Sequence, residues 1–287
     1  MATTYISRTF TSGDTDKWTF SAWVKRCPDG VAQFIFSGWA DASNYTGMYF
    51  DTDESLHFYN RSGGGAAGQQ VTSALFRDPG SWYHLVFVWD SGNATSGDRM
   101  RIYVNGEEVT AFAVDNAPTQ NLDSSANVSG NTCYVGQRGN GLYWNGSMSH
   151  CHMCVGYAYD ASYFGQTDST SGIWKIKTGP SVSYGDNGGF WLKDGSQLTD
   201  SSPNSNTLTV GAGTITPTKD NPSNNFATFN SLYVPTSNLP TFSNANTTVT
   251  HPTTAGAWRT MAATLGVSTG KWYWECIGGN GSVHIYN

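Results

Sequence analysis

Three segments constrain this chain more than anything else in it: residues 18–26 (WTFSAWVKR), 81–90 (SWYHLVFVWD) and 99–109 (RMRIYVNGEEV). Each alternates or clusters aromatic and β-branched side chains over the length of one strand, as a half-buried strand does. In the first, Phe20, Ala22 and Val24 alternate with Ser21, Trp23 and Lys25. In the second, residues 84–89 are almost continuously apolar, which predicts a central strand covered on both faces. The third contains Asn105-Gly106, a hairpin signal, because both residues tolerate positive φ. It pairs residues 100–104 with 108–111. The three together predict a sandwich of two antiparallel sheets.

The rest of the chain agrees. No window shows helical apolar spacing, and Gly or Pro interrupts most candidates. Residues 33–37 read as a strand, and 47–50 with 55–59 as a hairpin around Asp51-Thr52-Asp53-Glu54. The Gly-rich stretch 61–68 reads as a mobile loop and 116–130 as a long polar loop. Strands at 132–136 and 146–155 close the sandwich. A short helical turn is expected near 160–164, and a short strand at 190–193. Residues 194–225, rich in Ser, Thr, Asn, Pro and Gly, read mostly as irregular connection. Residues 266–277 end in an alternating aromatic strand, Lys271-Trp272-Tyr273-Trp274-Glu275-Cys276.

Apolar residues make up 38% of the 287, with 11 Trp, 15 Tyr and 14 Phe, enough for a sizeable core. Charged residues are only 13%, against roughly 25% in typical soluble domains. Uncharged polar surface of this kind suits a β-protein that packs against copies of itself. The net charge of −6 argues against nucleic acid and anionic membrane, which both need basic patches. No apolar run reaches the ~18 residues of a membrane helix. The N-terminal residues lack a basic and an apolar region, so signal-driven export is not expected. Five cysteines, an odd number in a long chain, predict reduced thiols and no disulfide framework.

The motifs resemble the laminin-G-like, or concanavalin-A-like, jelly-roll family. The resemblance lies in Phe20-Ser21-Ala22-Trp23-Val24-Lys25, in Trp82, His84, Leu85, Val86 and Asp90, in Ile102-Tyr103-Val104-Asn105-Gly106, and in Tyr134-Val135-Gly136 followed by Trp144-Asn145-Gly146-Ser147. A narrower likeness spans nearly the whole chain. Tyr5-Ile6-Ser7-Arg8-Thr9, Phe76-Arg77-Asp78-Pro79, Phe164-Gly165-Gln166-Thr167-Asp168 and Gly172-Ile173-Trp174-Lys175 are similar to segments of tailed-bacteriophage virion proteins. Those proteins often join a lectin-like domain to a SPRY-like one, and Gly270–Glu275 (GKWYWE) resembles the SPRY signature. The resemblance therefore implies an all-β chain: a jelly-roll sandwich over 1–178, an extended connection over 179–225, and the incomplete start of a SPRY-like β domain over 226–287.

Candidate chemistry is sparse. In the stretch SHCHMC (149–154), His150, His152 and Cys154 would share one strand face. Zn²⁺ wants about four N or S ligands. No other His/Cys pair lies at ligand spacing, so a structural role is expected. Glycoside hydrolysis needs two carboxylates roughly 5–10 Å apart. The acidic spots Asp51, Asp53, Glu54 and Glu107, Glu108 fall on expected turns, and no catalytic residue is assigned. Ca²⁺ takes about six to eight oxygen ligands, and Asp41, Asp51 and Asp53 lie on loops that could share a rim. They are the candidate calcium ligands. For stacking a sugar ring the candidates are Tyr45, Tyr143 and Trp39, aromatic residues among Asn and Gly. Trp18, Trp23, Trp82, Trp89 and Trp144 are expected to pack.

The resemblance implies a non-enzymatic virion protein, exposed on the particle after assembly in the host cytoplasm. It would be a tail fibre, tail appendage or head decoration that adsorbs to host-surface glycans or reinforces the particle. The implied partners are other virion proteins, copies of itself (a trimer above all) and a surface glycan, with no nucleic acid and no membrane insertion. A free carbohydrate-binding lectin is the alternative, and a polysaccharide depolymerase a distant third.

Overall fold

Phe20, Phe36, Phe58 and Phe87 meet between two sheets, with ring centroids 4.5 Å apart for Phe20 and Phe36 and 5.5 Å for Phe58 and Phe87. The computed structural model describes residues 3–11, 13–193, 198–234, 239–251 and 260–278. The strands are β1 (Tyr5–Thr9), β2 (Lys17–Arg26), β3 (Gln33–Asp41), β4 (Asn44–Phe50), β5 (Ser55–Ser62), β6 (Gly65–Leu75), β7 (Trp82–Asp90) and β8 (Met100–Val104). They continue with β9 (Glu107–Glu108), β10 (Phe112–Asn116), β11 (Thr132–Val135), β12 (Gly146–Val155), β13 (Gly165–Thr167), β14 (Trp174–Ile176), β15 (Gly189–Trp191) and β16 (Thr209–Ala212). β17 (Thr241–Ser243) and β18 (Thr248–Thr250) form a separate hairpin.

One sheet has eight strands, in the order β10-β6-β5-β4-β3-β11-β1-β16, and the other six, β15-β12-β2-β7-β8-β9. All named pairs are antiparallel. The core between them holds Trp18 and Trp89, stacked at 6.3 Å, with Ile35, Phe50, Leu85, Ile102 and Met153. The predicted central strand is central: β7 lies between β2 and β8, and all of it but Tyr83 is buried.

A second core explains that double burial. On the outer face of the six-stranded sheet, Val86, Val88, Tyr103 and Cys154 pack under Ala161, Phe164, Tyr184 and Phe190. The covering segment opens with a 3-10 turn at Ala161–Tyr163, which Asp160 caps by accepting from the Ser162 N–H. Its hairpin β13–β14 brings the Trp174 Nε1–H to His84 Nδ1 at 3.0 Å. The Phe164–Lys175 stretch thus has a packing role.

Several expectations change. The stretch 61–68 is not a loop: β5 and β6 run through it and turn at Gly63 and Gly64, with φ of +58° and +85°. Positive φ at both positions is what a tight hairpin needs. The strand expected at 108–111 shrinks to two residues of β9. Residues 112–116 leave for the other sheet, where β10 pairs with β6. The expected connection 179–225 adds an edge strand to each sheet, β15 on β12 and β16 on β1, and places Trp191 in the core. Asp220 then accepts from Lys25 Nζ and Trp82 Nε1, both at 2.8 Å. Residues 271–276 form no strand, and Trp272, Tyr273 and Trp274 are exposed.

Candidate functional site

β4 (NYTGMYF) and β5 (SLHFYNRS) carry large side chains on both faces. Met48, Phe50, Leu56 and Phe58 face the core. By strand alternation Tyr45, Tyr49, His57, Tyr59 and Arg61 face outward. The sandwich core accounts for one side of the sheet, and the second aromatic side packs outside it, where Phe34 and Tyr45 are buried.

These outward residues form a continuous aromatic surface. Tyr45 stacks with Trp39 at 5.4 Å and lies 5.8 Å from Tyr59. Phe34 stacks on Tyr49 at 4.4 Å, and Tyr49 on His57 at 4.6 Å. Gly47 makes room for this arrangement, since a Cβ there would sit 2.6 Å from the Phe34 ring. Trp39, Tyr49 and Tyr59 are half-buried, while Tyr45 and Phe34 are covered.

A strap crosses this surface. After β11 the chain turns back at residues 137–143, with Gln137 bridged to Tyr143. Ser37 Oγ donates to the Gln137 carbonyl at 2.8 Å, tying the strap to β3. Gly139 lies flat on the Trp39 ring, where a Cβ would fall 2.4 Å away. The Arg138 guanidinium sits 5.8 Å from the Phe34 ring and 6.0 Å from those of Trp39 and Tyr45. Its Nε donates to Asn140 Oδ1 at 2.8 Å. On the far side of the strap, Tyr5 lies 5.6 Å from Tyr134 and 6.2 Å from Tyr143.

Burial is the largest influence on the phenols. It pushes the Tyr49 pKa up, helped by Asp51 and opposed by Arg138. It raises Tyr59 too, with Arg61 opposing. Burial lowers the His57 pKa against the pull of Asp51 and Asp53. Ser55 and His57 lie 3.0 Å apart, but this is no nucleophile pair. The Ser55 hydroxyl donates to Asp53 Oδ1 at 2.6 Å, so it accepts from His57 Nε2–H.

The structure brings Trp39 and Tyr45 together, and places Tyr143 at the end of the strap, beside Tyr5. Expectation missed Arg138, Arg61, Tyr49 and Tyr59. The readable signal for the last three was the aromatic and charged residues at alternate positions of β4 and β5. The calcium set does not assemble. Asp41 ends β3 and Asp51 and Asp53 lie in the β4–β5 turn, so the seven residues of β4 separate them. At ~3.3 Å per residue that is about 20 Å, far beyond one ion's reach. Each carboxylate is also engaged locally: Asp41 by the Ser43 N–H and Asn44 side chain, Asp51 by the Thr52 N–H, Asp53 by Ser55. Among the described residues no group of three or more His, Cys, Asp or Glu side chains is placed to hold a metal. His152 Nδ1 meets Tyr184 Oη at 3.0 Å and its ring stacks on Phe190 at 3.9 Å.

Residues 2–153 match the family model of the Concanavalin A-like lectin/glucanases superfamily, more than half of the 287. The chain belongs to that superfamily. The match covers the strands from β1 into β12 and hence the whole outer aromatic face and its strap. A search of curated proteins gives no match. Among solved structures, the chain is similar to the SAP-like pentraxin of Limulus polyphemus, at 18% identity over 68% of this chain and 91% of that one, TM-score 0.43. The CBM40 of the Ruminococcus gnavus IT-sialidase, solved with α2,3-sialyllactose, is 11% identical over 48% and 83%, TM-score 0.35. Mouse laminin α1 domains LG4-5 are 13% identical over 66% and 44%, TM-score 0.35.

Proposed function

We propose that this superfamily member is a non-catalytic carbohydrate-binding protein whose site is the outer face of the eight-stranded sheet. The observation that carries the reading is the half-buried aromatic surface of Trp39, Tyr49 and Tyr59, gripped by the 137–143 strap. Flat apolar rings ringed by Asn, Ser and Arg suit the faces of sugar rings, and a partly exposed aromatic surface marks a binding surface. The carboxylates bordering these rings are engaged locally. Asp51 is tied up beside His57, 3.7 Å away, and Asp41 is held in its own turn. A depolymerase reading has no support here.

A glycan array tests the proposal. Wild-type protein should retain a subset of glycans, and Trp39→Ala and Tyr59→Ala should each weaken retention at least tenfold while keeping cooperative unfolding. Retention unchanged in both variants would place binding elsewhere.

Within this reading, we propose that the protein serves on the surface of a tailed-phage virion, as a homo-oligomer beside other virion proteins. The supports are the phage-like segments at 5–9, 76–79, 164–168 and 172–175 and the low charge, which suits contact between uncharged β surfaces. Mass photometry checks the oligomer: a trimer at micromolar concentration is expected, and a stable monomer counts against it. A free lectin is separated from the virion role by whether the chain is found in purified particles.

A further inference from the structure

The two arginines of the aromatic face have terminal nitrogens without hydrogen-bond partners among the described residues, whereas Arg26, Arg99 and Arg8 spend theirs on the protein. Arg26 pairs with Glu54. Arg99 donates to the carbonyls of Asn93, Ala94 and Pro118. Arg8 donates to the Asn187 carbonyl. Arg138 spends only its Nε, on Asn140, and its two terminal nitrogens have no hydrogen-bond partner among the described residues. Arg61 makes no side-chain hydrogen bond or ion pair there, and its Nε is buried without a partner. This occurs in a chain with 21 acidic and 15 basic residues, where carboxylates are the more abundant partner.

Both arginines flank the same ring. Arg61 lies opposite Tyr45 in the β4–β5 register, and Arg138 stands over Tyr45 from the strap. The strap holds Arg138 in advance: Gly139 rests on Trp39, Gln137 is bonded to Ser37, and three rings lie beneath the guanidinium. A pre-positioned planar fork with free terminal N–H groups fits an oxyanion with two oxygens and loses little freedom on binding it. The nearby acid Asp41 has its carboxylate occupied by Ser43 and Asn44.

We propose that this face selects anionic saccharides, with Arg138 and Arg61 pairing the oxyanion of a sugar bound beside Trp39 and Tyr59. The proposal rests on the reading of this face as the glycan site and adds the charge of the ligand. The two oxygens of a carboxylate match the planar guanidinium fork, and a uronate-type carboxylate is the anion to which the proposal commits.

Affinity electrophoresis of the full chain tests it, through gels containing polygalacturonate, alginate or hyaluronate, fully methyl-esterified polygalacturonate, dextran sulfate, or neutral dextran. At least one carboxylated polymer should retard the protein ten times more strongly than the esterified and neutral ones. Retardation should weaken as salt rises, since exposed charges are screened within ~8 Å at physiological ionic strength. Arg138→Gln and Arg61→Gln should each lose at least tenfold on the acidic polymer. Arg101→Gln, on the other sheet, removes the same charge and should lose under twofold. Equal loss in Arg101→Gln would reduce the effect to net charge and overturn the proposal. Retention by neutral glycans that needs Trp39 but neither arginine would overturn it and leave the site standing. No retention by any polymer or glycan would overturn both. Preference for dextran sulfate with dependence on both arginines supports the anion and rejects the carboxylate.

Discussion

His84 shows how single residues here are settled by their neighbours. Its Nδ1 accepts from Trp174, its Nε2–H donates to Ser21 Oγ at 3.0 Å, and its ring stacks on Trp23 at 4.9 Å. Both nitrogens are used by the neutral ring, and burial pulls the pKa down to about 3. His152 is likewise held well below its ordinary value, by burial and then by His150, His84 and Lys193. Between pH 6.5 and 3 the unfolded chain takes up a proton at His84 that the folded chain refuses. Stability therefore falls as pH drops through that window, by up to ~1.4 kcal/mol per pH unit for each such histidine. Asp16 works the other way, its carboxyl pushed up to about 6 by the hydrogen bond with Asp14, but it is largely exposed. Denaturant unfolding at about pH 7 and pH 5 should show the loss, and His84→Gln should make it measurably smaller, with His57 and His152 supplying the rest. An equal slope in the variant would exclude this origin. Trp174→Phe leaves a buried acceptor unpaired and should cost about 1–3 kcal/mol by the same measurement. The sequence marked His84 as a strand residue between apolar neighbours. Trp174, ninety positions away, only the covering segment could supply.

At the scale of elements, turns and straps decide more than strand propensity. Gly63 and Gly64 convert a composition that reads as loop into a hairpin, because only their φ values let β5 and β6 meet so tightly. Gly64→Val should cost ~1–2 kcal/mol in unfolding free energy, the cost of a left-handed conformation for a residue with a Cβ. The 137–143 strap is the matching device at the site. Gly139→Ala pushes a Cβ into the Trp39 ring at a φ of +101°. It should shift the tryptophan emission and weaken glycan retention, with little change in unfolding midpoint because the strap is outside the core. Unchanged retention would show that the strap does not shape the site. The strands themselves were legible: β2, β7, β8 and β12 follow from alternation and from Asn105-Gly106. The strap was not, since residues 137–143 have neither alternation nor a hydrophobic run, and their place depends on Trp39 and Ser37, some hundred residues earlier.

For the whole molecule, the sandwich ends later than the motifs suggest. Trp191 is 1% exposed and its Nε1–H donates to the Asn206 carbonyl at 2.7 Å, while Leu208 also lies in the core. Residues 1–178 alone would expose the β12 edge and empty the Trp191 site. Circular dichroism melts should show no cooperative transition for 1–178 and a clear one for 1–225. The point substitution Trp191→Ala should cost about 3–5 kcal/mol. A cooperative 1–178 fragment would show that β15 and β16 are accessory.

By itself the sequence determined that this chain is an antiparallel sandwich, because alternation and turn residues act over a few positions and are written locally. Only the tertiary structure decided which aromatic rings are core and which form the outer face, because parity along a strand names two faces without saying which one meets the second sheet. It separated Asp41 from Asp51 and Asp53 by the length of β4. It also carried Arg138 across the sheet to Trp39 and Tyr45, a meeting of distant segments that no local pattern encodes.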